Sequence, residues 1–238
     1  MGWRSVMTKP FDDWIRVFPG IKVPEVVAYV VTTWTWLRNS YSDAVAFDHN
    51  EPVLTDNLCE ALNDPDRRFQ SRMPCDFQPE TRELRRNPNG TTSYVARADI
   101  RIILGVPGTP HLVIEFKKLD GTTEARRLYC FDGLNRFIEG KYAGGHPFGV
   151  MCGFACSEIE DEAMALAEYI SKRAARLACL ADGSGNVITM PSALAAAIAK
   201  FDTSHARAAP ARAIEILHVI VPCTRKGTHT ATTVPKNT

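Results

Sequence analysis

Two stretches of the chain, residues 94–104 and 111–119, alternate between apolar and polar side chains. A period of two is typical of a β-strand whose two faces meet different surroundings. The six residues between them, GVPGTP, are turn formers, so the pattern predicts a β-hairpin. One predicted face is apolar and carries Ala98, Ile100, Ile102, Leu104, Leu112, Ile114 and Phe116. The other face carries Val113 and the charged residues Arg97, Asp99, Arg101, Glu115 and Lys117.

The turn also predicts which residues of the two strands lie side by side. If Leu104 lies opposite His111, the numbers of paired residues sum to about 215, which places Asp99 within one position of Glu115. Lys117 then follows one step further along the same face. A charged side chain in such an apolar stretch is costly unless it is paired or binds something.

Two helices are predicted before the hairpin. Residues 24–38 begin with Pro24 and predict a helix, although their β-branched run leaves a strand as the alternative. Residues 52–63 place Leu54, Leu58 and Leu62 on one helical face, which indicates a helix. The segment 64–90 is rich in Pro, Asn, Asp and Arg, and we interpret it as a long basic surface loop.

Helices and strands also alternate after the hairpin. The pattern predicts a helix over 123–140, a buried strand over 147–157 and a long amphipathic helix over 158–181. A short strand over 187–190, a short helix over 191–201 and a last strand over 213–223 follow. This order predicts an α/β protein with helices on the faces of a sheet.

The net charge of the chain is close to zero, but one segment is clearly basic. The 238-residue chain has a formal net charge of +1, which excludes a strongly basic, histone-like protein. Between Arg67 and Arg127, however, twelve basic residues face seven acidic ones. A polyanionic partner such as nucleic acid would explain this excess, and a solvated mixed-charge surface is the alternative.

Cysteine usage and hydropathy suggest where the protein works. The seven cysteines are scattered and form no CxxC pair, which predicts reduced thiols in a cytoplasmic protein. The N-terminal residues contain no apolar signal region, and the most apolar run, 26–37, is too short to cross a bilayer. We therefore expect no membrane association.

The paired carboxylates carry the candidate chemistry. Asp99 and Glu115 repel each other unless a cation lies between them, and Lys117 or a divalent metal could provide it. Carboxylate oxygens, with water and phosphate completing the shell, suit Mg²⁺ better than zinc. The alternative is an exposed, ion-paired hairpin surface without chemistry.

The spacing of these residues resembles a known motif. Asp99, fifteen intervening residues and then Glu115-Phe116-Lys117 are similar to the D…ExK core of the PD-(D/E)xK nuclease superfamily. The resemblance covers about residues 51–157 and departs from the full pattern where Ala98 replaces a proline. It implies a restriction-endonuclease-like αβββαβ core, a mixed central sheet flanked by helices, with additional N- and C-terminal helices.

The resemblance also implies a site. It assigns metal binding to Glu51, Asp99, Glu115 and the backbone carbonyl of Phe116, with Mg²⁺ as the metal and Mn²⁺ as a substitute. Glu60 is the alternative to Glu51, and Lys117 would act on the attacking water or the transition state. Candidate nucleic-acid contacts are Arg97, Arg101, Arg126, Arg127, Tyr129 and Arg136.

The implied function is metal-dependent hydrolysis of nucleic acid, with DNA favoured, as in bacterial restriction or phage-defence effectors. Such a nuclease is expected to act as a homodimer or within a larger defence complex. The alternatives are a non-catalytic nucleic-acid-binding or assembly subunit and a hydrolase of small phosphoesters. We expect a single domain over 1–238, with a nuclease core at about 51–157 and an N-terminal helical extension at 1–50. C-terminal helices and strands would occupy 158–223, and a flexible tail 224–238.

Overall fold

The computed structural model describes residues 22–86, 92–104, 111–143, 146–209 and 211–225, with side chains described outside 80–97. Its helices are α1 (Val23–Ser40), α2 (Glu51–Leu62), α3 (Pro65–Gln70), α4 (Thr123–Leu128), α5 (Asn135–Ile138) and α6 (Ile159–Ser171). A π-helical segment, Tyr129–Leu134, joins α4 to α5. Its strands are β1 (Cys75–Arg86), β2 (Thr92–Leu104), β3 (His111–Leu119), β4 (Phe148–Ala155), β5 (Cys179–Leu180), β6 (Phe201–His205) and β7 (Ile214–Pro222).

All seven described strands belong to one mixed sheet in the order β1-β2-β3-β4-β7-β6-β5. The central pairs β3/β4 and β4/β7 are parallel, and the flanking pairs are antiparallel. Helices cover both faces of the sheet. On one face α1 and α2 pack over side chains such as Ile100, Phe116 and Phe154. On the other, α6 and the helical stretch 123–138 pack over Val113 and Met151.

The hairpin prediction is confirmed. Ile100 pairs with Ile114 and Ile103 with His111, so partner numbers sum to 214 and the register differs by one from the predicted value. The helices predicted at 24–38 and 52–63 are also confirmed as α1 and α2. One detail of the alternation is wrong: Ala98 packs with the cluster on the opposite face from Ile100.

The later part of the chain confirms three predicted elements. A helical stretch occupies 123–138, interrupted by the π-helical segment. Buried strands occupy 148–155 and 214–222, as β4 and β7. These elements form the centre of the sheet and the layer that covers its second face.

The prediction of a surface loop over 64–90 is wrong, because this segment forms α3 and the twelve-residue strand β1. β1 lies at the edge of the sheet and pairs only with β2 among the described strands. An edge strand tolerates Pro79 and many charged residues, because its free side needs no backbone partner. The loop-like composition therefore concealed a strand.

Two predictions near the C-terminus are also wrong. The helix expected over 158–181 ends at Ser171, and Cys179–Leu180 instead pairs with β6. The helix expected over 191–201 does not form, and the strand β6 was not foreseen. Asp202 accepts hydrogen bonds from the backbone N–H groups of Ala193 (2.7 Å) and Leu194 (3.3 Å). Such side-chain acceptors compete with helical hydrogen bonds. The expected strand over 187–190 is reduced to a single bridge between Thr189 and Asp202.

Candidate active site

The site begins where β2 and β3 separate. Among the described residues, the ladder between them ends at the pair Ile100 and Ile114, just before Asp99. The Asp99 carboxylate then accepts a hydrogen bond from the backbone N–H of Phe116, at 2.7 Å. Its side chain thus links the two strands where the backbone ladder stops. This places Asp99 beside Glu115, as the hairpin register predicts.

Helix α2 brings a third carboxylate to the same place. Glu51 is the first residue of this helix, and the side chain of Asn50 caps it by accepting from Val53 N–H at 3.0 Å. The partial positive charge of a helix N-terminus stabilises a carboxylate there. Glu51 Oε2 also accepts from the backbone N–H of Lys118 at 3.2 Å, which ties the helix start to β3.

The ammonium group of Lys117 lies among these acceptors. Its Nζ is 2.6 Å from Glu51 Oε1, 2.7 Å from the backbone oxygen of Phe116 and 3.1 Å from Glu115 Oε1. Only 12% of the Lys117 side chain is exposed, and that of Glu115 is completely buried. The lysine therefore neutralises carboxylates from two different elements inside the protein.

A second cation, Arg136, contacts the same oxygen of Glu115 as Lys117 does. Arg136, in α5, donates from Nη1 to Glu115 Oε1 at 2.8 Å and to the hydroxyl of Tyr142 at 2.7 Å. Glu115 Oε2, in contrast, is buried and has no hydrogen-bond partner. A buried acceptor without a partner is costly, and it indicates a place where a further ligand would be favourable.

Burial and charge shift the proton affinities of the site. Burial, and then the neighbouring Asp99, raise the pKa of Glu115 to about 7, although Lys117 and Arg136 oppose the shift. Burial also raises the pKa of Asp99, against the effects of Lys117 and the Phe116 N–H. Burial by itself would lower the pKa of Lys117, but Glu115, Glu51 and Asp99 outweigh it and raise that pKa. The lysine is accordingly held in its charged form.

The structure distinguishes the two candidate acids of α2. Glu51 contacts Lys117, whereas Glu60 is exposed near the far end of the helix and lines a hollow with Trp36 and Tyr41. The geometry therefore gathers Glu51, Asp99, Glu115 and Lys117 and leaves Glu60 outside.

The candidate nucleic-acid contacts have different surroundings. Tyr129 is completely buried and bonds to His218 at 2.9 Å, so the expectation that it touches nucleic acid is corrected. Arg126 forms a two-pronged ion pair with the buried Glu162, at 2.8 and 3.1 Å, which commits its guanidinium to joining α4 to α6. Arg127 is exposed and pairs with Glu124.

The remaining arginines of that set also differ. Arg136 belongs to the site itself through Glu115, and 37% of its side chain is exposed. Arg101 is half-buried in β2. The side chain of Arg97 lies outside the described residues.

Sequence reasoning missed two residues that support the site. Tyr142 is fully buried and orients Arg136 through its hydroxyl. Arg207, between β6 and β7, donates to the backbone oxygens of Phe137 (2.9 Å), Tyr142 (3.3 Å), Ala143 and His146. Its guanidinium thereby fixes the segment that carries Tyr142. Neither residue lies in a periodic pattern or a motif, so no sequence signal pointed to them.

The donor set of the site suits a hard divalent cation. Carboxylate and carbonyl oxygens are the ligands that Mg²⁺ and Mn²⁺ prefer, and Glu115 Oε2 is an acceptor without a partner. Across the described ranges, no three His, Cys, Asp or Glu side chains are grouped closely enough to hold a metal ion in this arrangement. The Lys117 ammonium, in contact with three of the candidate oxygens, occupies the space among them.

The seven cysteines are free thiols. None of the described helices is both long and apolar enough to cross a membrane. No protein-family model, curated protein or solved structure matches the chain, so the functional argument depends on the fold and on this site.

Proposed function

We propose that this protein is a metal-dependent nuclease with a restriction-endonuclease-like core that hydrolyses phosphodiester bonds, with DNA as the favoured substrate. One observation carries the proposal: Glu51 and Glu115, from α2 and β3, both contact Lys117, and Asp99 of β2 accepts from the backbone N–H of Phe116 between them. When all three carboxylates are ionised, as metal binding requires, they outnumber the two basic groups by one negative charge, which favours binding of a divalent cation.

The order of elements supports the same proposal. Helix α2, strands β1, β2 and β3, the helical stretch 123–138 and strand β4 follow one another as αβββαβ, with only the six-residue α3 inserted. The candidate acids lie on the first helix and on the second and third strands of this series. This is the arrangement that the PD-(D/E)xK resemblance implies.

Each side chain has a physical role in this proposal. Glu51, Asp99, Glu115 and the Phe116 carbonyl would hold the metal. When bound, the metal would polarise a phosphoryl oxygen and lower the pKa of a coordinated water. Lys117, close to these oxygens, would orient the attacking water and offset charge that develops on the phosphate. Arg136 balances Glu115, and its exposed part can face the substrate backbone.

The basic excess between Arg67 and Arg127 supports a polyanionic substrate. Nucleic acid releases counterions when basic side chains approach its phosphates, which strengthens binding without reading sequence. A hydrolase of small phosphoesters would have no use for so extended a basic segment. We therefore expect binding to weaken as the salt concentration rises.

A cleavage assay tests the proposal. Supercoiled plasmid, single-stranded DNA and RNA are incubated with the protein in Mg²⁺, Mn²⁺ or EDTA. We expect metal-dependent cleavage that falls by about 100-fold or more in Asp99→Asn and in Lys117→Met, because each change removes a group at the reacting centre. Glu60→Gln is the matched control, since it removes an acid of the same helix outside the site.

Four outcomes would contradict the nuclease proposal. Cleavage that persists in EDTA, or that survives both site substitutions, would remove the basis for metal chemistry at these residues. Salt-sensitive binding of nucleic acid without cleavage in any metal would favour the non-catalytic binding or assembly subunit instead. Hydrolysis restricted to small phosphodiesters, uncompeted by DNA, would favour the small-phosphoester hydrolase.

A further inference from the structure

The Lys117 ammonium lies where the candidate metal ligands converge. Its three contacts at 2.6, 2.7 and 3.1 Å go to Glu51 Oε1, the Phe116 carbonyl and Glu115 Oε1. All three oxygens belong to the groups that would hold the metal in the proposed nuclease. The ammonium thus makes the same contacts that a metal would make.

A metal ion and the Lys117 ammonium cannot both contact Glu51 Oε1, the Phe116 carbonyl and Glu115 Oε1 at the same time. Mg²⁺ binds oxygen at about 2.0–2.1 Å, which requires the ligands to close around the ion in place of the larger ammonium. Like charges at such short range also repel strongly in a buried site. A metal and the lysine end group are therefore mutually exclusive at this position.

We propose that Lys117 is an internal cation that holds the site in a metal-free state, and that a divalent metal binds by displacing its ammonium group. This inference rests on the proposed function, since it concerns the same metal site. The lysine then has two positions: one on the ligand oxygens without metal, and one beside the metal with the substrate. Metal entry and placement of the lysine near the attacking water become a single event.

The stem and the end of the Lys117 side chain have different surroundings. Gly133 of the π-helical segment approaches the stem so closely that a Cβ there would lie 3.4 Å from Lys117 Cγ. The ammonium group, in contrast, makes polar contacts with the three oxygens, so exchange requires it to leave these contacts. Glu115 Oε2 remains without a partner and offers an entering metal its first ligand before the lysine leaves.

Arg136 provides a matched comparison for the charge of Lys117. It carries the same charge and contacts the same atom, Glu115 Oε1, at 2.8 Å. Its other described hydrogen bond goes to Tyr142 rather than to Glu51 or the Phe116 carbonyl. Removing either residue makes the site one charge more negative, but only removal of Lys117 frees Glu51 Oε1 and the Phe116 carbonyl, while Glu115 Oε1 keeps its contact with Arg136.

The experiment measures Mn²⁺ binding by calorimetry and electron paramagnetic resonance on the full chain, without nucleic acid. The proteins compared are the unmodified chain, Lys117→Met and Arg136→Met, with Asp99→Asn to show that binding occurs at this site. If the lysine ammonium must leave first, the apparent affinity for metal is the intrinsic affinity multiplied by the fraction of molecules in which the ammonium has left. We expect Lys117→Met to bind Mn²⁺ about tenfold more tightly than Arg136→Met does. Equal affinities, or weaker binding by Lys117→Met, would overturn the exchange.

A second measurement keeps the test decisive if Lys117→Met does not fold. In the unmodified chain, acetylation of Lys117 is followed by peptide mass spectrometry with and without Mg²⁺, and the exposed Lys141 serves as the internal reference. Displacement predicts faster acetylation of Lys117 in Mg²⁺ and an unchanged rate at Lys141. No acceleration at Lys117 would overturn the proposal.

The outcomes separate this inference from the proposed function. Mn²⁺ binding at the site with plasmid cleavage, but without a specific effect of Lys117, overturns the exchange and leaves the nuclease standing. Exchange without cleavage of any nucleic acid supports the inference and overturns the nuclease. No Mn²⁺ binding by any of the proteins overturns both.

Discussion

Thr203 lies in the middle of a buried chain of hydrogen bonds that links His205, His218 and Tyr129. His205 Nδ1 lies 2.7 Å from the backbone oxygen of Leu177, which can only accept, so this nitrogen carries the proton. Burial lowers the pKa of His205 to about 4, so its Nε2 is bare at neutral pH and accepts from the Thr203 hydroxyl at 2.6 Å. Thr203 must then accept from His218 Nε2–H at 2.8 Å. Neutral His218 in turn accepts from the Tyr129 hydroxyl, so every donor is assigned.

Thr203→Val removes the hydroxyl from the middle of this chain while keeping the branched shape. His205 Nε2 then loses its donor, and the His218 N–H loses its acceptor. Each buried polar group left without a partner costs about 1–3 kcal/mol, so we expect a loss of roughly 2–6 kcal/mol. This is a large part of the roughly 5–15 kcal/mol that stabilises a typical domain. Because Tyr129 belongs to the helical stretch that carries Arg136, the loss would also loosen the layer over the site.

Urea unfolding followed by circular dichroism measures this prediction. The control is Thr203→Ser, which keeps the hydroxyl and loses one methyl group, at a cost of about 1 kcal/mol. If Thr203→Val is no less stable than Thr203→Ser, the assignment of donors and acceptors along the chain is refuted. A loss of unfolding free energy in Thr203→Val that is small and does not change with pH would also refute this assignment.

Three further substitutions or conditions test other parts of the structure. Because burial lowers the pKa of His205 to about 4, its contribution to stability is complete above pH 6.5 and is lost as the pH falls towards 4. We expect about 2 kcal/mol less stability at pH 5 than at pH 7 from this residue, measured by urea unfolding against His205→Gln. At Gly133 an added Cβ would lie 2.7 Å from Met151 Cε and 3.4 Å from Lys117 Cγ. Gly133→Ala should therefore cost about 1–2 kcal/mol in unfolding and reduce metal-dependent cleavage, and unchanged cleavage would show that the lysine stem needs no such close contact. Glu60→Gln should leave cleavage unchanged, and a loss matching that of Asp99→Asn would place the third acid at Glu60 instead.

The sequence pattern predicted the helices and strands that have one apolar and one polar face. The alternation in β2 and β3 and the three- and four-residue spacing in α2 are visible along the chain itself, because one face of each element is apolar. In edge strand β1 the alternation is confined to its first residues, and the segment 191–201 has a helix-like sequence that the fold overrides. Their conformations depend on the backbone of β2 and on the carboxylate of Asp202, which lie outside the segments themselves.

The contacts of the site are of two kinds: some join residues of one hairpin, and others join elements that are far apart in the sequence. Strand parity and the hairpin turn alone predicted that Asp99, Glu115 and Lys117 lie together, because these residues are joined by one short connection. The partnership of Glu51 with Lys117 spans 66 residues of sequence, and the placement of Arg136 on Glu115 depends on how a helix packs against β3. Burial of Glu115, the unpartnered Oε2 and the position of the lysine ammonium arise from both layers together. The sequence by itself therefore determined which charges share a strand face, and the tertiary structure decided which of them touch, because contact and burial depend on elements that no local period relates.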